Sequence, residues 1–342
     1  MTAKNGLYGE GERSVKHPKS ASTQVGRDRS APLVSIVTPT LNRVDLLEHT
    51  IKSVRNQSYG NLEHIVMDGG STDRTLDALR RHEAAYNLQW TSLADLGMYH
   101  AINAGFRKAS GEILAYLNSD DLYFPWTVET VVRNFQAHPK ADFVFGDAIA
   151  IDDETGRHAL NFQPPFDLDY VRRWGFLCQP TVFWRRSVFE QEGGFDESLQ
   201  FVADCDYWMR LGARRQFHKI NEFLAVERNH ATTLREARAE VLWDELASVR
   251  SRYVLLHGPS HRLRVAGHRV RAVVWARAYW IRFAMQSLLA RRSSCGPWSR
   301  LLNSGHPLIR WHLLPLRLIP GISNRRPRVV QPSRHWLEPP ER

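Results

Sequence analysis

Apolar residues along this chain follow two alternating rhythms. Short apolar-rich segments at Leu33 to Thr38, Leu62 to Met67, Leu88 to Ser92 and Ile113 to Leu117 read as strands, the last a near-continuous apolar run of buried character. Between them apolar positions recur every three or four residues, at Leu47, Ile51 and Val54, at Leu76 and Leu79, and at Met98, Ala101, Ile102 and Gly105. That spacing predicts helices. The first is expected from about Asp45 to Gln57 with Asp45 as N-cap, after a strand stopped by Pro39-Thr40, and Ser71 or Thr72 is expected to cap the second. Strand alternating with helix from 33 to 121 implies parallel strands joined by right-handed crossovers, hence a doubly wound sheet. Further strands are predicted at Asp142 to Asp147, Cys178 to Trp184 and Phe223 to Val226. Helices are predicted before Gly193-Gly194, from Asp204 through Leu211, and from Arg235 to Val254. The stretch from Phe162 to Gln179 has no clear period and reads as an aromatic loop, with Gln179 facing a cleft.

The chemistry lies where strands stop. The run Gly111 to Leu117 ends in Asn118-Ser119-Asp120-Asp121, and the second strand ends in Asp68-Gly69-Gly70. Open α/β sheets bind ligands at the carboxyl ends of their strands, so Thr38-Pro39-Thr40, Asp68 and Asp120-Asp121 converge on one edge. Two adjacent carboxylates call for a positive partner, and hard oxygen ligands suit Mg²⁺ or Mn²⁺. Helix capping by the Asp pair and turn chemistry at Asp68 are the competing readings. Neither a P-loop nor a G-x-G-x-x-G follows the first strand, which leaves a metal to neutralise any phosphates.

Charge divides the chain. The 342 residues carry a formal +10, but residues 251–342 contribute +15 through 17 Arg, no Lys and 2 Glu, and residues 1–30 contribute +3. The body between is therefore acidic. Residues 1–31 are polar and expected to be disordered, with no signal-peptide core. No window of about 18 uncharged apolar residues exists to span a membrane. Cys178, Cys205 and Cys295 lie far apart, which disfavours a zinc site or disulfide framework and suits a reducing compartment.

Taken together, the motifs Ser35-Ile36-Val37-Thr38-Pro39-Thr40-Leu41-Asn42, Asp68-Gly69-Gly70-Ser71-Thr72-Asp73, Ala101-Ile102-Asn103-Ala104-Gly105, Asn118-Ser119-Asp120-Asp121, Gly193-Gly194-Phe195-Asp196-Glu197 and Asp204-Cys205-Asp206-Tyr207-Trp208-Met209-Arg210-Leu211 resemble glycosyltransferase family 2, in that order. The resemblance runs from about Pro32 to Thr233. It implies a GT-A type α/β fold, a mostly parallel central sheet flanked by helices, and inverting transfer of a sugar from a nucleotide-diphospho-sugar. It also implies that Pro39, Thr40, Asp68 and Asp95 bind the donor, that Asp120 contacts the ribose, and that Asp121 holds Mn²⁺ or Mg²⁺ on the diphosphate. Asp204 would be the catalytic base and His230 would close over the diphosphate or metal. Leu41, Asn118 and Ala203 depart from the family pattern, which more often has an aromatic, an Asp and a Glu there, and the first of these leaves the nucleotide open. The Gln-x-x-Arg-Trp signature of processive members is missing, which points to addition of one sugar. Helix N-terminal acids and a surface histidine are the plainer readings of Asp204, Asp206 and His230.

Three segments result: residues 1–31, a catalytic domain at 32–233, and a basic helical C-terminal extension at 234–342. In the last, Arg alternates with Trp, Leu and Val, a composition suited to an anionic membrane interface. A packed helical appendage is the alternative, and nucleic-acid binding is disfavoured because no recognised module accompanies the charge. The expected enzyme is thus a peripheral one at the cytoplasmic face of a membrane, acting on a saccharide or lipid-linked acceptor. A nucleotidyltransferase and a non-catalytic sugar-nucleotide-binding adaptor are the other candidates.

Overall fold

A computed structural model describes residues 31–94, 97–154, 158–174, 177–230 and 239–253. The segment 1–30, Asp95 and the chain beyond 253 lie outside the described residues, so the expectations made for them are not addressed by it. The N-terminal half is the alternation read from the sequence: β1 Val34–Thr40, α1 Val44–Arg55, β2 Leu62–Asp68, α2 Thr75–Glu83, β3 Leu88–Ser92, α3 Met98–Lys108 and β4 Ile113–Tyr116. Then follow β5 Leu122–Tyr123, α4 Thr127–Ala137, β6 Phe143–Asp152, β7 His158–Asn161, α5 Leu168–Trp174, β8 Phe183–Arg185, α6 Arg186–Glu192, α7 Ala203–Leu211, β9 Phe217–Asn229 and α8 Ala239–Tyr253.

The described strands form one sheet in the order β3-β2-β1-β4-β8-β6-β9-β5, with β7 on β6. β3, β2, β1 and β4 are mutually parallel, whereas β8 runs antiparallel to both β4 and β6. The chain leaves β1 for β2 on one side and returns to β4 on the other. That reversal opens a crevice between the carboxyl ends of β1 and β4, the usual ligand site of such sheets.

Alternating side chains send the two faces of β1 and β4 into different cores. Val37, Leu114 and Tyr116 pack with Tyr99, Ile102 and Phe106 of α3 and with Trp208 of α7. Val34, Ile36, Ile113 and Ala115 pack with Val54 of α1 and with Val128, Val131 and Phe135 of α4. Close approach of α3 to the sheet requires Gly105, because a Cβ there would lie 2.4 Å from Val37 Cγ1.

Several local expectations are corrected. β1 runs through Pro39 to Thr40, paired with β2 as far as Thr40 opposite Asp68, while its pairing with β4 ends at Val37. Pro39, which has no N–H, therefore lies beyond the last β4 pair. Asp45 sits in the first turn of α1, not at its cap; the Val44 N–H is taken by Asp73 Oδ2 at 3.1 Å. Asp73 Oδ1 likewise accepts the Thr75 N–H at 2.9 Å, so one aspartate serves the starts of both α1 and α2 in place of Ser71 or Thr72. The supposed aromatic loop contains α5. Strand β9 extends over 13 residues, and its pairing with β6 is shifted near Asp147.

Candidate active site

At the crevice the turn after β2 is built on Asp68. Its Oδ2 accepts the Gly70 N–H at 3.2 Å, the Ser71 N–H at 3.0 Å and the Ser92 hydroxyl at 2.5 Å, and its Oδ1 accepts the Ser71 hydroxyl at 2.5 Å. Turn chemistry and a position at the site are thus compatible, since the carboxylate is fixed by its own loop. Beside it the Thr40 hydroxyl is buried and has no hydrogen-bond partner among the described residues. An unpaired buried hydroxyl costs free energy unless a ligand completes it.

Asp120 and Asp121 follow β4, both more than nine-tenths buried. Asp120 Oδ2 receives Arg43 Nη1 at 2.7 Å and faces His230 Nε2 at 3.2 Å. The opposite charge expected beside the pair is therefore Arg43, a residue the sequence reading did not single out although it directly follows Asn42. Asp121 Oδ1 accepts the Arg228 N–H from the end of β9 at 3.1 Å, and its carbonyl accepts the Thr50 hydroxyl from α1 at 2.9 Å. The Arg228 side chain is in turn clamped by Asp153, at 3.2 Å through Nε and 2.5 Å through Nη2. It also lies 3.3 Å from His49, whose proton affinity is lowered by burial and then by this guanidinium.

Among the described residues no group of three or more His, Cys, Asp or Glu is arranged to hold a metal ion by itself. Two buried carboxylates at a sheet edge nevertheless fit Mg²⁺ or Mn²⁺, which are commonly held by one or two carboxylates together with substrate phosphates. The donor set is hard oxygen throughout.

Asp204 enters from the first turn of α7, partly exposed. Its Oδ1 accepts the Cys205 N–H at 2.8 Å and the Tyr99 hydroxyl at 3.3 Å, and that hydroxyl also reaches the Phe201 carbonyl at 3.1 Å. Asp206, by contrast, is 3 % exposed and accepts the Tyr253 hydroxyl at 2.8 Å, which commits it to α8. Tyr116, the last residue of β4, joins the two halves. Its phenol is pushed well above the usual range, first by burial, then by Asp204, Tyr99, Cys205 and Asp121. Tyr99 is raised in the same way by burial and by Asp204. Neither tyrosine was identified from sequence as a site residue.

Gln179, expected to face a cleft, is buried beside the end of β4. Its Nε2 donates to the Tyr116 carbonyl at 2.7 Å and its Oε1 accepts from Asn118 Nδ2 at 3.3 Å, holding the strand end that precedes the aspartates. Ala203 is fully buried in the core, and Leu41 is 51 % exposed at the mouth of the site.

A mixed sheet with a carboxylate-lined crevice at the β1/β4 switch point is the GT-A architecture of a glycosyltransferase. Residues 35–199 match the model of glycosyl transferase family 2. A PGL/p-HBAD biosynthesis glycosyltransferase of Mycobacterium bovis is 34% identical over 188 residues, covering 53% of this chain and 70% of that protein. An uncharacterized glycosyltransferase of Mycobacterium tuberculosis is 33% identical over 184 residues, covering 53% and 69%. Among solved structures, S. aureus TarS residues 1–349 superimposes with a TM-score of 0.52 at 18% identity, and its complex with UDP-GlcNAc with 0.53 at 19%. The first of these alignments covers 64% of both chains, and the second 64% of this chain and 65% of the other. The chain belongs to glycosyl transferase family 2.

Proposed function

We propose that this glycosyltransferase moves a single sugar from a nucleotide-diphospho-sugar to a hydroxyl acceptor with inversion, in assembly of a surface polysaccharide or glycolipid. The observation that carries the reading is the buried Asp120-Asp121 pair after β4, held by Arg43 and by the Arg228 N–H, at the sheet edge where the buried Thr40 hydroxyl has no partner among the described residues. Inversion by one in-line displacement needs a base on the acceptor side and charge compensation on the leaving side, and no nucleophilic residue. Asp204 is the base. As the acceptor oxygen bonds to the anomeric carbon and the bond to the diphosphate breaks, the acceptor proton passes to the Asp204 carboxylate. Tyr99 and the Cys205 N–H hold its Oδ1.

The Thr40 hydroxyl and Asp68 bind the nucleoside, alongside Pro39 and Asp95, with Asp120 on the ribose. Asp121, with Asp120 beside it, would hold Mg²⁺ or Mn²⁺, which supplies charge neutralisation for the departing diphosphate. Arg43, paired with Asp120, provides positive charge from the protein itself, and His230 lies against the same carboxylate. Support for a nucleotide-sugar donor comes from the fold shared with TarS, whose structure is known in complex with UDP-GlcNAc. Support for a glycolipid product comes from the mycobacterial relative named for PGL/p-HBAD biosynthesis.

The test is product analysis with Asp204→Asn as the control. Release of a nucleoside diphosphate, with donor affinity kept and turnover lowered by roughly 10²–10⁴ in the variant, is the expected result. Pyrophosphate release would mark nucleotidyl transfer, and an unaltered rate would remove Asp204 from the role of base.

A further inference from the structure

The helix that carries Asp204 is held from outside the region that matches the family model. That match ends at residue 199, whereas α8 begins at Ala239. Leu242, Leu246, Val249 and Tyr253 recur at intervals of four, three and four residues, a single helical stripe, and they pack into the core that contains Trp208 and Met209 of α7. In the middle of this stripe's flank stands Glu245. Its Oε1 accepts the Gln200 N–H at 2.7 Å, and its Oε2 accepts the N–H groups of Phe201 at 2.7 Å and Val202 at 3.1 Å.

These three residues immediately precede α7, which has no side-chain cap of its own at Val202. One carboxylate from another helix gathers three consecutive backbone donors where a local cap would otherwise be needed. The chain it grips leads directly to the candidate base. Phe201 donates its N–H to Glu245 and offers its carbonyl to the Tyr99 hydroxyl, and that same hydroxyl touches Asp204 Oδ1. At the far end of α8, Tyr253 binds Asp206 at 2.8 Å, and Arg252 lies 3.4 Å from Asp196 and 3.6 Å from Asp206. α8 therefore holds the start of α7 at two points.

We infer that Glu245 is a positioning residue for the transfer reaction: by fixing residues 200–202 it sets the place of Asp204 and of its Tyr99 partner, making α8 a working part of the catalytic unit. The inference rests on Asp204 being the base. Misplacing a reacting group by a fraction of its contact distance costs rate more than affinity, because the donor is held by β1, β2 and β4 and not by α7.

The experiment uses the full-length protein with Glu245→Ala and Glu245→Gln. Glu245→Ala is expected to lower kcat roughly 10- to 100-fold, with donor Kd unchanged. Glu245→Gln keeps one acceptor oxygen and is expected to fall between Ala and wild type. In an Asp204→Asn background, Glu245→Ala is expected to cost little more, since residues that act as a unit are not additive. A folded Glu245→Ala protein with wild-type kcat, or a Gln variant as impaired as Ala, overturns the inference. If Glu245→Ala does not fold, the Gln variant decides: kcat equal to wild type with unchanged donor Kd overturns it. A normal rate in Asp204→Asn would instead show that the base assignment has failed, a result separable from failure at Glu245.

Discussion

Asn42 Oδ1 accepts the Thr72 N–H at 2.7 Å, joining the loop after β1 to the loop after β2. The same oxygen receives the Asp73 N–H at 3.3 Å, and the Asn42 N–H donates to Ser71 Oγ at 2.7 Å. Asn42 has φ 52°, a left-handed conformation that asparagine tolerates better than most residues. Thr40 and Asp68 are thereby presented as parts of one connected rim. Asn42→Ala should weaken donor binding by about 1–2 kcal/mol, the worth of lost hydrogen bonds and backbone preference. Asn42→Gly should recover only the backbone share. Calorimetric titration with the nucleoside diphosphate checks this, and equal affinity in all three proteins would show that the two loops are independent.

Asp121→Asn keeps an oxygen for the Arg228 N–H, so the end of β9 should stay in place. What changes is the charge. Transfer should be lost, donor binding should cease to depend on Mn²⁺ or Mg²⁺, and a chelator should reproduce both effects in the wild type. Full activity of the wild type in excess EDTA would contradict the metal's role.

His64 is completely buried between the Thr38 hydroxyl at 2.9 Å and the Tyr86 hydroxyl at 2.6 Å, and burial lowers its pKa to about 3. The folded value lies below the ordinary 6.5, so the unfolded chain binds the extra proton between these limits. Stability contributed by the neutral ring is complete above pH about 6.5 and is lost as pH falls toward 3, by up to about 1.4 kcal/mol per pH unit. Denaturant melts of wild type and His64→Gln from pH 7 to 4 should differ in slope. Parallel pH dependences would show that the ring does not report on folding.

The C-terminal charge carries a prediction that α8 makes cleaner. Because the helix runs to Tyr253 and packs on the core, removal of residues 255–342 leaves it intact. The shortened protein should keep donor binding and lose attachment to anionic vesicles. Attachment of the full chain should weaken with salt, each basic residue near the surface contributing about 1 kcal/mol at low ionic strength. Equal flotation of both forms would make the basic stretch a structural appendage.

The parallel half of the sheet was legible because its strands are rich in apolar residues, Ile113–Tyr116 without a break, and each helix keeps a 3.6-residue stripe. The second half was harder. α5 offers little beyond Leu168 and Val171 as a stripe, and β9 spends its first residues on Phe217, His218 and Lys219, where no strand rhythm appears. Lys219 is buried against Asp147 at 2.8 Å, a pairing between strands that no local pattern announces. Helix starts were misassigned for a related reason: Asp73 caps α1 from 29 residues away, and Glu245 serves α7 from more than forty. At the site, acids at strand ends stood out, whereas their partners did not. No local pattern marks Arg43, Tyr99 or Tyr116 as a partner of those acids.

Gly194 lies so close to Asn103 that a Cβ would fall 2.3 Å from its Oδ1. Asn103 in turn binds both backbone groups of Phe195, accepting its N–H at 3.0 Å and donating to its carbonyl at 2.9 Å. A residue on α3 and a turn some ninety positions later are therefore matched as lock and key. A chimera that takes its donor half from one relative and its acceptor half from another will assemble only if the asparagine and the paired glycines travel together. Recombination breakpoints between α3 and α6 must preserve that match.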